Sequence, residues 1–153
     1  MNVEWRESPI YDEAFEVRQV YSFIMNGQNK VLLQNDRGRF NLPGGKPERE
    51  ETYIETLCRE CMEESQVSIT DPELLGYLIV TEDENFNSVP YVQLRYVSKL
   101  LALYPIDTDP ATGRIYGREF VDISSVNRLL GWGDHGERQI GSLRRFLAES
   151  FFL

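Results

Sequence analysis

The chain has 153 residues, of which 41% are hydrophobic and 12% aromatic, so general disorder is excluded and a single domain over residues 1–153 is expected. The formal net charge of −9 argues against duplex nucleic acid or an anionic membrane as a partner. The first residues lack the basic and apolar regions of a signal peptide, and no apolar run approaches membrane-spanning length, so a soluble cytoplasmic protein is expected.

The first third of the chain predicts extended segments separated by turns. Residues 1–14 predict an irregular lead or a short edge strand, because Pro9 interrupts a continuous ladder. Residues 15–25 are rich in Val, Tyr, Phe and Ile and predict a strand. Asn26-Gly27 is a strong hairpin signal that leads into a second strand over 30–34. The elements that follow are a turn over 35–38, an extended piece over 40–42 and a tight loop at Pro43-Gly44-Gly45.

From Thr52 onward the sequence predicts an amphipathic helix. Apolar residues recur at i, i+3, i+4, i+7 and i+8, which is one face at a period of 3.6 residues. They are Ile54, Leu57, Cys58, Cys61 and Met62. Because both cysteines lie on this face and no second Cys pair exists, we expect buried, reduced thiols rather than a metal or redox site.

Three acidic residues, Glu60, Glu63 and Glu64, share one turn on the opposite side of this helix. Like charges at that spacing cost a helix roughly 0.2–0.5 kcal/mol per pair. Acidic runs are usually solvated helix faces, and that interpretation stands for any isolated cluster. Carboxylates that converge within one turn otherwise need a counter-charge, which a divalent cation supplies through oxygen ligands. Mg²⁺ or Mn²⁺ is the expected cofactor.

The second half of the chain predicts further strands and then two helices. Asp71-Pro72 predicts a turn, and Ser124-Ser125 predicts the N-cap of a short helix that reaches Leu130. The remaining elements are strands over 73–80, 89–104 and 115–123, loops over 81–88, 105–113 and 131–136, and a final helix over 137–152 with Ile140, Leu143, Leu147 and Phe151 on one face. This order predicts a mixed sheet with helices on both faces.

The helix and the loop before it contain a longer pattern. The residues that define it are Gly45, Glu51, Arg59, Glu60, Cys61, Glu63, Glu64 and Val67. Their spacing resembles the Nudix box, G-x5-E-x7-R-E-U-x-E-E-x-G-U, and the segment over 40–44 resembles the family's lead-in. Gln66 stands where the family has Gly, which implies either strain of order 1 kcal/mol in a left-handed C-cap or a different helix exit. The resemblance implies an α/β/α sandwich with a mixed β-sheet.

The resemblance also implies the activity, which is hydrolysis of a nucleoside diphosphate linked to another moiety by attack of water on a phosphorus. It implies that Glu60 and Glu64 are metal ligands, with Glu63 as a third ligand or as the general base. A carbonyl of Gly45 or Gly44 is implied as one more ligand. Arg59 and Glu51 are implied to pair and to support the loop and helix of the box. The candidate catalytic residues are Glu51, Arg59, Glu60 and Glu63, and the candidate metal ligands are Gly45, Glu60, Glu63 and Glu64.

Other candidates stay open. Some family members recruit one more acid from a late loop, although any single acid of this kind is more often solvated. The acids that qualify are Glu82, Asp83, Glu84, Asp107, Asp109 and Glu119. A nucleobase usually stacks on an aromatic ring, although core packing is the more common role for any one of them. The aromatic residues that qualify are Phe86, Tyr91, Tyr21 and Trp132. His135, the single histidine, has no partner for a catalytic triad and is expected at the surface.

The substrate is a small-molecule nucleotide diphosphate under this interpretation. The chain lacks three sequence features, each of which is typical of a different Nudix subfamily. They are a Pro about fifteen residues beyond the box, a Tyr near that place and an arginine-rich pattern upstream of the box. Their absence favours a nucleoside triphosphate or a nucleotide sugar. The alternative is a non-catalytic Nudix-like domain that senses a nucleotide, although such domains typically lose box carboxylates that this chain retains. A homodimer remains open.

Overall fold

The computed structural model describes residues 1–82 and 88–150. Eight strands and three helices lie within these residues. In chain order they are β1 (Asn2–Glu7), β2 (Glu16–Met25), β3 (Lys30–Asp36), β4 (Arg39–Asn41), β5 (Gly44–Gly45), α1 (Tyr53–Ser65), β6 (Val67–Thr81), β7 (Tyr91–Leu103), β8 (Gly117–Asp122), α2 (Ile123–Leu130) and α3 (Asp134–Glu149).

The strands form one mixed sheet in the order β1-β6-β7-β2-β3-β4, with β8 added to β3 and β5 added to β2. β2 and β7 are parallel, whereas the other pairs are antiparallel. β2 and β3 share only the pair Met25 and Val31 and then diverge. β5 occupies the resulting fork, where Gly44 and Gly45 pair with Tyr21 and Val20. The predicted mixed sheet is confirmed.

Helices cover both faces of the sheet. On one face, Leu57 and Cys61 of α1 pack with Val20, Ile24 and Leu94 in a fully buried cluster. On the other face, α2 and α3 pack against the sheet through a second cluster, which includes Phe23, Leu33, Val126, Ile140 and Leu143. The predicted α/β/α sandwich is therefore confirmed.

Capping residues set both ends of α1. The Thr52 hydroxyl accepts a hydrogen bond from the Glu55 N–H at 3.1 Å, and the Glu55 carboxylate accepts one from the Thr52 N–H at 2.9 Å. This reciprocal capping box satisfies two N–H groups that the helix leaves free. Gln66 ends the helix in the left-handed conformation (φ 51°, ψ 49°), and its side chain donates to the Glu63 carbonyl. The first alternative for Gln66, a left-handed C-cap at the family's Gly position, is the one observed.

The predicted apolar face of α1 is only half correct. Cys61 is 0% exposed, but Ile54 and Met62 are 37% and 40% exposed, and Cys58 is also exposed. The helix is rotated so that small polar residues share its buried face with the apolar ones. The buried residues are Thr56, Leu57, Cys61 and Ser65. The rotation also brings Glu60 and Glu64 beside the buried face rather than opposite it.

The two thiols are therefore expected to differ in reactivity. Burial raises the pKa of both, and it raises the pKa of Cys61 far more than that of Cys58. Under native conditions iodoacetamide is expected to modify Cys58 and to leave Cys61 intact until the protein unfolds. Peptide mass spectrometry measures this, with Cys58→Ala as the control that should take up no label. Equal labelling of the two thiols would contradict the burial of Cys61.

Of two predicted turns, one is wrong and one is confirmed. β6 runs without a break through Asp71-Pro72, where Asp71 adopts φ 52° and the register with β7 shifts. Asp71-Pro72 therefore forms a bulge within one strand and not a turn between the helix and a strand. The hairpin predicted at Asn26-Gly27 joins β2 and β3, with Asn29 in the left-handed conformation (φ 59°). The Asn26 side chain accepts hydrogen bonds from the backbone N–H groups of Gln28 and Lys30.

The last two helices also begin earlier than predicted. The N-cap of α2 is Asp122 rather than Ser124 or Ser125. α3 begins at Asp134, so His135 lies in its first turn instead of in a loop. Phe151 lies outside the described residues. No helix within residues 1–82 and 88–150 is long and apolar enough to cross a membrane.

Candidate active site

Two glycines bring the backbone of β5 against the carboxylates of α1. Gly44 adopts φ 150°, and a Cβ at this position would collide with the Val20 carbonyl oxygen and the Tyr21 ring. A Cβ at Gly45 would lie 2.5 Å from the carboxyl carbon of Glu60. The fork in the sheet therefore holds main chain in direct contact with the helix, which requires residues without side chains.

Glu64 is a partly buried carboxylate held by neutral donors. It accepts the Gly44 N–H at 3.1 Å and Gln34 Nε2 at 3.3 Å. No Lys or Arg among the described residues forms an ion pair with it. Burial raises the pKa of Glu64 to about 8, and the negative charges of Glu60 and Asp109 contribute to the rise. Gln34 was not predicted as a site residue, and its sequence signal is weak, because it directly follows the apolar residues 31–33 and precedes two more polar residues.

Glu60 lies one turn before Glu64 and is also half-buried. Burial raises its pKa, and the charges of Glu63 and Asp109 add to the effect, while Arg59 opposes it. Arg59 Nη1 donates to Glu60 Oε1 at 2.7 Å and to Glu63 Oε2 at 3.3 Å. The pKa values of both neighbouring carboxylates are raised. Negative charge at this place is therefore not fully balanced by nearby positive groups.

Arg59 connects the helix with the loop before it. Its Nε and Nη2 donate to the two carboxylate oxygens of Glu51 at 2.6 and 3.0 Å, and Nη2 also donates to the Lys46 carbonyl at 3.1 Å. This two-point pairing lowers the pKa of Glu51 to about 2 and raises that of Arg59. Glu51 further accepts bonds from the Glu48 N–H and the Thr56 hydroxyl. The structure thus brings together the two residues implied as a supporting pair.

Replacing Arg59 with Lys is expected to lower the free energy of unfolding by about 1–3 kcal/mol. The Arg59 side chain is only 20% exposed, and a single ammonium group cannot reproduce its simultaneous bonds to Glu51, Glu60 and Lys46. Urea denaturation measures the change. Glu48→Gln is the matched control, because Glu48 is 68% exposed and lies 3.5 Å from Arg59, so its change should stay within about 0.5 kcal/mol. Equal losses in both variants would contradict the assigned role.

Carboxylate oxygens are suitable ligands for a divalent cation, but the side chains of the site do not converge on one point in this structure. Within the described part of the chain, no three His, Cys, Asp or Glu side chains converge closely enough to hold a metal ion. Arg59 instead supplies positive charge to Glu60 and Glu63. Glu64 has no such partner among the described residues and lies beside Glu60 with a raised pKa. A hard divalent cation is the ligand that this donor set, with the nearby glycine backbone, can accept.

Among the described acids of the late loops, Asp109 acts through its charge on both Glu60 and Glu64. It is 3% exposed, and the backbone bonds of Asp109 to Arg114 and Gly113 hold its loop in place. Asp107 and Glu119 are exposed, and Glu119 bonds Asn35 instead. Glu82 is exposed as well. Asp83 and Glu84 lie outside the described residues.

The aromatic candidates divide by position. Tyr91 is buried beneath the guanidinium of Arg18 at 4.1 Å. Tyr21 and Trp132 both contact Arg95 on the α3 face of the sheet, next to the fork. Phe86 lies outside the described residues. His135 was expected at the surface but is partly buried, stacks on Trp132 and shares a hydrogen bond with Gln139. Burial and the charge of Arg95 lower its pKa.

A family model described as "NUDIX domain" matches residues 16–138. The chain belongs to the Nudix family. The match spans most of the chain and includes the fork, α1 and the loop of Asp109. It confirms the family inferred from the box and, at the level of the family, the assignment as a Nudix hydrolase.

Solved structures agree with the Nudix fold. A mutant of the Bacillus subtilis pyrophosphohydrolase BsRppH matches with a TM-score of 0.68 and 18% identity, covering 99% of this chain and 93% of that chain. A NUDIX hydrolase from Nitrosomonas europaea matches with a TM-score of 0.65 and 22% identity over 85% and 90% of the two chains. A C. elegans Ap4A hydrolase matches with a TM-score of 0.57 and 16% identity over 87% and 99%. No curated protein sequence matches the chain.

Proposed function

We propose that this protein is a pyrophosphohydrolase that depends on Mg²⁺ or Mn²⁺ and cleaves the diphosphate bond of a nucleoside diphosphate derivative. A nucleoside triphosphate or a nucleotide sugar is the proposed substrate. The observation that carries the proposal is the pair Glu60 and Glu64, partly buried against the glycine backbone of β5, with Arg59 pairing Glu60 and no cationic side chain among the described residues pairing Glu64. A protein with net charge −9 needs cations to hold a polyanionic substrate at such a site.

Glu60, Glu64 and a carbonyl of Gly44 or Gly45 are the groups that would hold the cation, with Glu63 as a further ligand or as the base. When bound, the cation neutralises phosphate charge, orients the diphosphate and activates a water molecule. The Gly44 N–H and Gln34 fix the Glu64 carboxylate in position.

Two further groups contribute around the carboxylates. Arg59 ties α1 to the loop through Glu51. Asp109 is a second candidate for the role of general base beside Glu63, because it is buried and its negative charge acts on Glu60 and Glu64. Phosphoryl transfer asks little covalent chemistry of the protein, so this positioning constitutes the main contribution of the chain.

The named activities of the similar structures support the same reaction class. One is named a pyrophosphohydrolase and another an Ap4A hydrolase, and both names describe cleavage within a chain of phosphates. A third is MutT from Aliivibrio salmonicida and Vibrio cholerae, with a TM-score of 0.58.

A substrate panel tests the proposal. The purified protein is incubated with nucleoside triphosphates, nucleotide sugars and dinucleoside polyphosphates, and products are identified by mass spectrometry. Release of pyrophosphate or of a nucleoside monophosphate is expected with Mg²⁺ or Mn²⁺ and not with a chelator. Tight nucleotide binding by calorimetry, without turnover across the panel, would instead support the non-catalytic sensing domain. That outcome would fit the contacts that Arg59 makes with Glu60 and Glu63.

A further inference from the structure

A second polar cluster lies on the α3 face of the sheet, where a hydrophobic core is expected. Arg95 is 3% exposed. Its Nε donates to Oε1 of the fully buried Gln139, and its Nη2 donates to Gln93 Oε1, both at 3.0 Å. No carboxylate among the described residues forms an ion pair with Arg95. A buried guanidinium with only neutral partners keeps an uncompensated positive charge.

Two atoms of this cluster are buried without a hydrogen-bond partner in the described part of the chain. They are Arg95 Nη1, a donor, and Gln19 Oε1, an acceptor. β2 and β7 pair in parallel, with Gln19 beside Gln93 and Tyr21 beside Arg95. Because side chains two residues apart on a strand share a face, Gln19 and Arg95 are diagonal neighbours on that face. Leaving such groups unpaired destabilises the fold, and a ligand that presents one acceptor and one donor would satisfy both.

Aromatic rings flank the guanidinium, and the cluster adjoins the carboxylates. The guanidinium carbon of Arg95 lies 4.9 Å from the ring centre of Tyr21 and 5.0 Å from that of Trp132. The backbone of Tyr21 pairs with Gly44, whose N–H binds Glu64. The charges of Arg95 and of Glu64 both act on the Tyr21 hydroxyl. Tyr21 thus neighbours both clusters, and a nucleotide that occupies both must reach from its diphosphate at α1 past Tyr21 to Arg95.

We propose that Arg95 and Gln19 form the floor of a nucleobase subsite that selects a lactam edge, which is a ring carbonyl beside a ring N–H. Guanine, hypoxanthine and uracil carry this edge. The inference rests on the proposed function and adds the class of base. Arg95 Nη1 donates to the carbonyl oxygen, which is the strong acceptor that an uncompensated cation favours. Gln19 Oε1 accepts the ring N–H, and Tyr21 and Trp132 supply aromatic faces.

Adenine and cytosine present an amino group where a lactam base has its carbonyl. In the orientation that places a lactam carbonyl on Arg95 Nη1, that amino group would face it donor to donor. The flipped orientation offers Arg95 only a ring nitrogen, a weaker acceptor for a cation than a carbonyl oxygen. A site built to hydrogen-bond one group rejects an analogue that lacks it, because its own buried polar atoms are then left without partners. Trp132 lies over Arg95 in the short segment between Gly131 and Gly133, so the proposed binding requires this segment to move before a base can reach Arg95 Nη1.

Inosine and adenosine test the proposal, because their bases differ only at this edge. Trp132 reports binding through its fluorescence, and a Trp5→Phe background removes the other tryptophan. Inosine is expected to bind at least about 10-fold more tightly than adenosine, since a well-placed pair of base-edge hydrogen bonds discriminates by that order. Neither nucleoside carries a diphosphate, so the titration measures binding at the base subsite independently of hydrolysis.

Substitutions test whether Arg95 and Gln19 cause the preference for inosine over adenosine. Arg95→Met and Gln19→Met are each expected to weaken inosine binding and to remove the preference over adenosine. Arg145→Met is the matched control, because Arg145 lies on α3, pairs with the exposed Glu7 and has no hydrogen bond to Arg95 or Gln19 among the described residues, so it should keep the full preference. If thermal melting shows that Arg95→Met does not fold, Gln19→Met carries the test.

Several outcomes would overturn the subsite. They are equal or tighter binding of adenosine, a full preference retained in Gln19→Met, or no binding of either nucleoside at millimolar concentration while diphosphate hydrolysis proceeds. The last of these leaves the proposed hydrolase intact. A clear inosine preference in a protein that hydrolyses nothing would support the subsite and refute the hydrolase, so the two proposals fail separately.

Discussion

Glu64→Gln is expected to lower kcat/KM for diphosphate hydrolysis by more than about 100-fold, since even a residue behind a metal ligand costs roughly 10–100-fold when it is replaced. The amide keeps the shape of the side chain and can still accept the Gly44 N–H, but it removes one negative charge and one oxygen ligand. Initial rates with the best substrate of the panel, across a range of Mg²⁺ concentrations, measure the loss. Full activity in the variant would remove Glu64 from the site.

The same substitution is expected to stabilise the metal-free protein at alkaline pH. The pKa of Glu64 is about 8 in the folded state, against an ordinary value of 4.5. The folded state therefore binds the proton more tightly than the unfolded state between these values, and stability falls as the pH rises from 4.5 to 8. The amide in Glu64→Gln does not titrate, so the variant does not lose stability in this way. Its gain in stability over the wild type should be absent below pH 4.5 and largest above pH 8, on the order of 1–4 kcal/mol.

Denaturant unfolding in the presence of a chelator, at about pH 5 and at about pH 8.5, measures the difference in stability between Glu64→Gln and the wild type near the two ends of this pH range. Glu73→Gln is the control, because Glu73 is exposed on β6 and its replacement should change stability little at either pH. Mg²⁺ should reverse the order by stabilising the wild type in preference to the variant. A pH-independent difference between Glu64→Gln and the wild type would contradict the burial of this carboxylate.

Gly44→Ala is expected to cost about 3–5 kcal/mol of stability, which is in the range of severe packing and backbone mutations. The residue combines φ 150° with a position where a Cβ meets the Val20 carbonyl and comes within 2.7 Å of the Tyr21 ring. Relief of that clash must separate β5 from β2. The Gly44 N–H would then move away from Glu64, so activity should fall together with stability.

Gly113→Ala separates strain from collision. Gly113 has φ 73°, but nothing among the described residues lies within 4 Å of a Cβ built there. Its substitution should therefore cost only the conformational strain of about 1–2 kcal/mol. Thermal and urea melts of both variants provide the comparison. If Gly44→Ala were no more damaging than Gly113→Ala, the tight approach of β5 to β2 would not exist in solution.

The sequence predicted the helix of the box well because its signals are local. Thr52 and Glu55 cap each other within one turn, and the 3.6-residue period needs no knowledge of the rest of the chain. The face that the helix buries was predicted poorly. Burial of Thr56 and Ser65 in place of Ile54 depends on how α1 meets the sheet, and hydrophobicity alone does not report that geometry.

The candidate site shows the same division. The spacing of Glu60 and Glu64 predicts that both lie on one side of α1, since residues four apart on a helix share a face. Their role as metal ligands comes from the resemblance to the Nudix box and stays a prediction. Gln34 and Asp109 were harder, because Gln34 contacts Glu64 from a distant strand and the charge of Asp109 acts on Glu64 from a distant loop. Arg95 belongs to the alternating pattern of β7, but a lone Arg predicts an exposed side chain, and its burial depends on α3 closing over it.

The parallel pairing of β2 with β7 has a consequence for synthesis of the chain on the ribosome. Glu16 meets Tyr91, so the strand that supports Gly44 and Gly45 gains its neighbour only after much more of the polypeptide has emerged. A nascent chain that ends at Ser65 contains nearly the whole box yet lacks the scaffold that gives it shape. Closure of such a long loop is slow, so catalytic competence should arrive late in folding.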